Sequence, residues 1–397
     1  MPKRSNTRQL PSGRWQGRYV GPDGKRHQKT FDTDAEASAW VKTEQVAANE
    51  GDWVSPISGK AMFGPWAEGW LTTRVNVRAS TMARDESVIR CYVLPSFEER
   101  EVSSIEEAEV REWVTSLVKS GKSAATTIKA YQLLANIMSA AVDAKLIRRS
   151  PCYNVPLPKI EHQEQRFLTV SEVHRLAEAV PARYRALVLV CCYGGLRIGE
   201  AAGLDRRHVE GDKLKISQGA VEVRGVLTVG PLKTRKARRT VSLPPAVAEV
   251  LRAHMDEYVE TEPDAPVFPT PWNTRLRPNG FRSRVWAKAV KDAGLARLRV
   301  HDMRHTAVAI WISTGAPVLL VSRRAGHASV SFTLDRYGHL YEEADDALVA
   351  GLSAAYERAT PAVPASPTTE ARPAAEAGSE PSSGAGLAPV IPLKRAS

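Results

Sequence analysis

The sequence predicts a multidomain α+β protein in which small antiparallel sheets are set among many helices. Three observations carry that prediction. At 397 residues the chain exceeds what one ordinary hydrophobic core organises. Apolar stripes at helical spacing run through most of it, whereas strand-like alternation is confined to two stretches, near residues 15–31 and 213–243. From Ala359 onward no aromatic residue occurs and Ala, Pro and Ser dominate, so residues 359–397 read as a disordered tail.

Residues 1–55 form the first predicted module. Its first 30 residues hold eight Lys/Arg against one acid, Asp23, a net charge of +7. Trp15 to Val20 alternates with strand period, Gly21-Pro-Asp-Gly24 signals a turn, and Lys25 to Phe31 returns as a second strand. Asp34 is placed to N-cap a helix carrying Ala35, Ala39, Trp40 and Val46. A solvated basic terminus is the plain alternative. Strand, turn and strand with interleaved aromatic residues favour a folded nucleic-acid-binding module. Gly51 to Gly59 reads as a linker.

Residues 60–150 predict a four-helix domain. Phe63, Trp66, Trp70 and Leu71 mark the first helix; Met82, Val88, Ile89, Tyr92 and Val93 mark the second, ending before Pro95. Val110, Trp113, Val114, Leu117 and Val118 mark the third, and Tyr131 to Leu146 the long fourth. Residues 165–350 open with helices over Ser171–Val180 and Tyr184–Tyr193. Strand-like segments follow around 214–216, 221–223, 226–229 and 240–243, and helices resume from Pro245.

Net charge is +11 and the isoelectric point near 9.5, which suits a polyanionic partner without proving one. Cys91, Cys152, Cys191 and Cys192 include no C-x-x-C pair and predict buried reduced thiols rather than a disulfide framework or zinc site. The N-terminus lacks an apolar signal core, and the longest apolar run, Ala186 to Leu196, is too short for a bilayer. A cytoplasmic protein with no membrane association is expected.

The chemistry sits in one ordered set of short motifs: Gly195-Leu-Arg197-Ile-Gly-Glu200, Lys233 opening a basic run, His301-Asp-Met-Arg304, Gly326-His327 and Asp335-Arg-Tyr337-Gly-His339. A free phenol titrates near about 10, so Tyr337 as nucleophile needs cationic or donor neighbours. Tyr341 competes with it four residues on. Arg197 follows two glycines that let backbone approach a ligand, and Glu200 lies within reach of it if a helix starts there. Arg304 is three residues after His301, so both lie on one helical face. Two guanidiniums suit the non-bridging oxygens of a phosphorane-like transition state. A leaving alkoxide needs a proton that an ammonium can supply, yet the residues alone do not choose among Lys233, Arg235, Lys236, Arg238 and Arg239. Taken singly, each of these residues is more often an ordinary salt bridge, cap or core group.

Taken jointly, their order and spacing resemble the tyrosine recombinase, or phage integrase, family. The resemblance spans roughly residues 60–345 as a helical core-binding (SAM-like) domain plus a catalytic domain. It extends to residues 1–55 as the arm-binding domain of the larger phage integrases. It implies a catalytic set of Arg197, Lys233, His301, Arg304, His327 and the nucleophile Tyr337. The implied reaction is cleavage of double-stranded DNA through a 3′-phosphotyrosyl link, then rejoining, to integrate or excise a mobile element. It implies a homotetramer at attachment sites, assisted by a directionality factor and a DNA-bending host protein, with no cofactor or metal. A type IB topoisomerase with a similar site, and a non-enzymatic DNA-binding regulator of the same fold, are the alternatives.

Overall fold

A computed structural model describes residues 6–55, 58–160, 165–232, 234–295, 298–342 and 345–359. The chain begins with a three-stranded antiparallel sheet, β1 (Thr7–Gln9), β2 (Trp15–Val20) and β3 (Arg26–Phe31), with β2 in the middle. The β2–β3 register runs from Trp15 opposite Phe31 to Val20 opposite Arg26. Gly24, at φ 70°, makes the turn between them possible. β1 has three residues, too few for alternation to reveal it.

Helix α1 (Asp34–Glu50) lies across this sheet. Its N-cap is Thr33 rather than Asp34. The Thr33 hydroxyl accepts from the Glu36 backbone while the Glu36 carboxylate reaches back to the Thr33 amide. That reciprocal box satisfies two otherwise unpaired donors, which Asp34 one residue later could not do. Gly17 lets the helix approach β2, because a Cβ there would meet the Ala37 carbonyl and the Trp40 ring at 3.0 Å. The stretch after Gly51 is not a free linker at its start. The Trp53 indole donates to the Tyr19 hydroxyl at 2.9 Å and its ring meets His27 edge-on.

The helical region comprises α2 (Phe63–Thr72), α3 (Ala79–Val88), α4 (Leu94–Phe97), α5 (Glu107–Lys119) and α6 (Ala124–Asp143). The second predicted helix does not stop at Pro95. A π-turn over Ile89–Val93 joins α3 to α4, with the Leu94 amide donating to the Ile89 carbonyl. The wider turn accommodates a proline that has no amide for the usual ladder. Phe63, Phe97, Trp113, Leu133, Leu134, Ile137 and Met138 pack the core. Asp85 is fully buried beside it and held by Lys129 at 2.9 Å and Arg74 at 3.0 Å.

The next region is built around α8 (Ala182–Gly194), which is buried on nearly every side and flanked by α7 (Val170–Ala179). Short α9 (Ile198–Ala202) follows. β4 (Val209–Glu210), β5 (Lys213–Ile216) and, further on, β8 (Arg239–Ser242) form one sheet in the order β4-β5-β8. The hairpin β6 (Gln218–Val223) and β7 (Val226–Pro231) stands apart as a second. α10 (Pro245–Tyr258), α11 (Pro278–Phe281), α12 (Ala287–Asp292), α13 (Asp302–Ser313), α14 (Val318–Ala325), α15 (Val330–Tyr337) and α16 (His339–Glu342) complete it. α13 and α10 both pack on α8.

A separate unit begins at residue 343 and contains α17 (Asp345–Ala359). Most of the predicted tail, residues 360–397, lies outside the described residues. All four cysteines are free, and Cys191 and Cys192 are fully buried. Cys91 departs from expectation: it lies on the outer face of the π-turn and is exposed. No described helix is long and apolar enough to cross a membrane.

Candidate active site

α8 ends at Gly195 in the left-handed conformation, φ 68°. A Cβ there would lie 2.4 Å from the Trp311 ring on α13, so only glycine permits both the turn and the helix contact. Two residues on, Arg197 occupies the N-cap position of α9. The Glu200 carboxylate accepts from the Arg197 backbone at 2.9 Å and from its guanidinium at 2.7 Å. Arg239 on β8 holds the other side of Glu200 at 2.9 Å. Burial pushes the Glu200 carboxyl up, but the Arg239 hydrogen bond and the charges of Arg239, Arg197 and Arg304 outweigh it and hold it at about 2. Glu200 is thus a fixed anion that orients Arg197, whose side chain stays 39% exposed.

Arg304 sits in the first turn of α13 and is 2% exposed. Its guanidinium donates to the Gly195 carbonyl at 2.6 Å and to the Ala325 carbonyl. It therefore ties together the C-terminal ends of α8 and α14, where helix dipoles favour a cation. Burial and the neighbouring Arg197 push it down to about 9, which leaves it charged at neutral pH. His301 occupies the exposed N-cap position of the same helix.

Gly326, at φ 64°, ends α14 and turns the chain so that His327 points inward. His327 is 7% exposed and its Nδ1 pairs with the Thr333 hydroxyl at 2.8 Å. Burial, then Arg304 and Arg197, push it down to about 3, so it is a neutral imidazole. Tyr337 ends α15 and is 1% exposed. Its ring lies parallel to His327, 8° between planes and 6.2 Å between centroids, with Phe167 on another side at 6.1 Å. Burial raises the phenol to about 12, against the pull of Arg304, Arg336 and Arg197.

The fold thus gathers Arg197, His301, Arg304, His327 and Tyr337, separated by up to 140 residues, around the starts of α9 and α13 and the ends of α14 and α15. Lys233, the sixth residue of the expected set, lies outside the described residues. Tyr341 is occupied elsewhere: its hydroxyl donates to the Ala316 carbonyl at 3.3 Å.

Comparison with known proteins gives this arrangement a family. Residues 162–344 match the phage integrase family, residues 6–50 the phage integrase N-terminal domain, and residues 62–118 the phage integrase N-terminal SAM-like domain. A putative prophage phiRv2 integrase of Mycobacterium tuberculosis is 31% identical over 360 residues, covering 87% of this chain and 94% of the relative.

The chain belongs to the phage integrase family.

It is a site-specific tyrosine recombinase with an N-terminal arm-binding region. The integrase of Mycobacterium phage L5 is 27% identical over 86% of this chain and 95% of its own length. In fold, the chain resembles the Tn1549 transposon integrase solved with transposon right end DNA. The TM-score is 0.63 at 16% identity, over 74% of this chain and all of that one. It also resembles a lambda integrase dimer solved on a core site, with a TM-score of 0.54 at 15% identity, over 83% of this chain and 93% of that one.

Two site residues of this integrase escaped the sequence reading. Sequence alone offers Arg239 only as one of five basic candidates for the leaving-group acid. Instead its side chain is 5% exposed, bonded to Glu200 and to the Arg324 and Gly195 carbonyls. Lys236 also has a protein partner, the Ala328 carbonyl at 2.9 Å. His305 follows Arg304 directly, and its Nδ1 lies 2.5 Å from the Tyr337 hydroxyl. It continues the His301-x-x-Arg304 motif and, four residues after His301, shares that face of α13, a spacing that could have exposed it.

Proposed function

We propose that this integrase cleaves and rejoins double-stranded DNA by attack of Tyr337 on a phosphodiester, forming a 3′-phosphotyrosyl link and releasing a 5′-hydroxyl. The observation that carries the reading is the convergence of two guanidiniums, Arg197 and Arg304, with neutral His327 around the Tyr337 phenol. Arg304 is preorganised by two backbone carbonyls and Arg197 by Glu200, so neither must reorganise as charge builds on the phosphate oxygens. His301, at the open mouth of the site, orients the phosphate. Lys233 protonates the leaving 5′-oxygen. The partner strand's 5′-hydroxyl then reverses the step, with bond energy conserved in the protein–DNA link.

In this reading residues 1–55 bind arm sites, 60–150 and 165–350 grip the core site, and four copies assemble on two duplexes. A lambda integrase tetramer has been solved bound to a Holliday junction. The similarity to a putative prophage integrase and to a phage integrase supports integration and excision of a mobile element. A directionality factor and a DNA-bending host protein complete the machinery.

Incubation with a nicked suicide substrate, denaturing electrophoresis and mass spectrometry of the adduct peptide test this reading. Wild type yields an adduct on Tyr337, and Tyr337→Phe binds DNA but yields none. An adduct that persists in Tyr337→Phe, or maps to Tyr341, refutes the assignment. No adduct on the true attachment site favours the regulator.

A further inference from the structure

Among the described residues, the Tyr337 phenol is not hydrogen-bonded to Arg197, His301, Arg304 or His327. Among the described residues its hydroxyl pairs with His305 Nδ1, at 2.5 Å. The Gln165 amide, oriented so that both its ends are satisfied, donates to the same Nδ1 at 3.1 Å while its oxygen accepts from Arg336 at 2.7 Å. With a phenol and an amide both converging on Nδ1, that nitrogen carries the lone pair and the ring proton resides on Nε2. His305 is 5% exposed and, through burial, then His301 and Arg336, is pushed down to about 4, so it is neutral at physiological pH. The charged or titratable groups acting on it are His301, Asp302 and Arg299 at the start of α13 and Arg336 on α15.

We propose that His305 is a further catalytic residue, the base that takes the Tyr337 phenolic proton on Nδ1 during cleavage and returns it during rejoining. The inference rests on Tyr337 being the nucleophile. As the phenolic oxygen bonds to phosphorus and the P–O5′ bond breaks, the O–H electron pair stays on the phenolic oxygen and the proton passes to Nδ1. The departing 5′-oxygen receives a different proton, from Lys233. In the reverse direction the imidazolium protonates the phenolate as it leaves phosphorus.

The geometry also explains why the phenol is quiet at rest. Tyr337 is pushed up to about 12 and His305 down to about 4, so the proton stays on oxygen until bond formation makes that oxygen acidic. Transfer is therefore concerted with attack. His305 lies on α13 with Arg304, on a helix packed along central α8, so the base and the phosphate-binding guanidinium keep a fixed spacing. His301 touches the His305 ring edge-on, 4.8 Å between centroids.

The experiment is single-turnover cleavage of the suicide substrate by the full-length His305→Ala and His305→Asn variants. DNA binding and melting temperature are measured in parallel. Both variants should bind core-site DNA as wild type does and form adduct roughly 100-fold more slowly, the loss expected for a general base. Imidazole should restore His305→Ala about tenfold or more, and the rescued rate should rise with the pKa of substituted imidazoles. His305→Asn keeps a hydrogen-bond acceptor without basicity and should stay slow. Wild-type rates in either variant overturn the proposal. So does recovery by His305→Asn, or a rescue indifferent to the additive's pKa, since a positioning hydrogen bond would then suffice. If His305→Ala does not fold, the rate of His305→Asn decides alone. An adduct at a residue other than Tyr337 in wild type sinks the underlying reading. An adduct at Tyr337 with a fast His305→Asn sinks only the role of His305.

Discussion

Replacing Glu200 with Gln should destabilise the region around α8 by about 3 kcal/mol, on two independent lines of reasoning. Glu200 is 3% exposed and meets Arg239, whose side chain is 5% exposed, at 2.9 Å. Removing one partner of a buried pair strands the other charge, a loss of roughly 3–5 kcal/mol. Independently, the Glu200 carboxyl is held at about 2 against an ordinary 4.5. At about 1.4 kcal/mol per pH unit that difference is worth roughly 3 kcal/mol. For a region of this size the loss lowers melting by about 6–12 °C. Calorimetry of the full chain should show one transition moving while the others stay. The sign with pH follows from the depressed value. The carboxylate contributes fully above 4.5 and its contribution is lost as pH falls toward 2, so the gap between wild type and variant should close over that interval. Glu200→Leu combined with Arg239→Met should recover part of the loss, because the buried Arg239 charge leaves with its partner. Recovery stays partial because Arg239 also donates to the Arg324 carbonyl at 2.7 Å. A Glu200→Gln variant melting within about 2 °C of wild type would refute the reasoning.

Three further outcomes are expected. His305 and His327 have folded values of about 4 and about 3 against an ordinary 6.5, so the folded state resists their protonation and stability falls as pH drops below 6.5. Lowering pH from 7 to 5 should remove about 2 kcal/mol for each, measured by denaturant titration, and His327→Gln should flatten the dependence. Lys233→Ala should block cleavage more than binding, and a substrate with sulfur as the leaving atom should restore it; rescue of Lys236→Ala instead would reassign the acid. Deleting residues 1–55 should spare core-site cleavage but cripple integration directed by arm sites, with a steep salt dependence of arm binding in the intact chain. Wild-type integration by the truncated chain would contradict it; the cut removes Glu44, the buried partner of half-exposed Arg148, and no residue of the helical core around Phe63 and Phe97.

Local sequence was enough to expose the longer elements, though not three-residue β1. The β2–β3 hairpin was legible because Gly24 supplies the turn that alternation on either side demands. α5 and α6 were legible because their buried residues recur at helical spacing. The resemblance of the motif order to the tyrosine recombinase family named Arg197, Lys233, His301, Arg304, His327 and Tyr337. Spacing placed Glu200 within reach of Arg197, since three residues at a helix start is a local distance. Local rules misjudged the places where a neighbour decides. Thr33 takes the cap because Glu36 answers it, and a π-turn carries the chain past Pro95. What only the tertiary structure decided is the partnership of residues far apart in the chain. Arg239 looks like any other cation in a basic run until β8 brings it to Glu200, 39 residues away. His305 meets the Tyr337 hydroxyl only because α15 sets Tyr337 against it, 32 residues away. Periodicity and spacing report the backbone's local geometry, whereas burial, and with it the protonation states that make a phenol, a carboxylate and two imidazoles useful, is set by what packs over them.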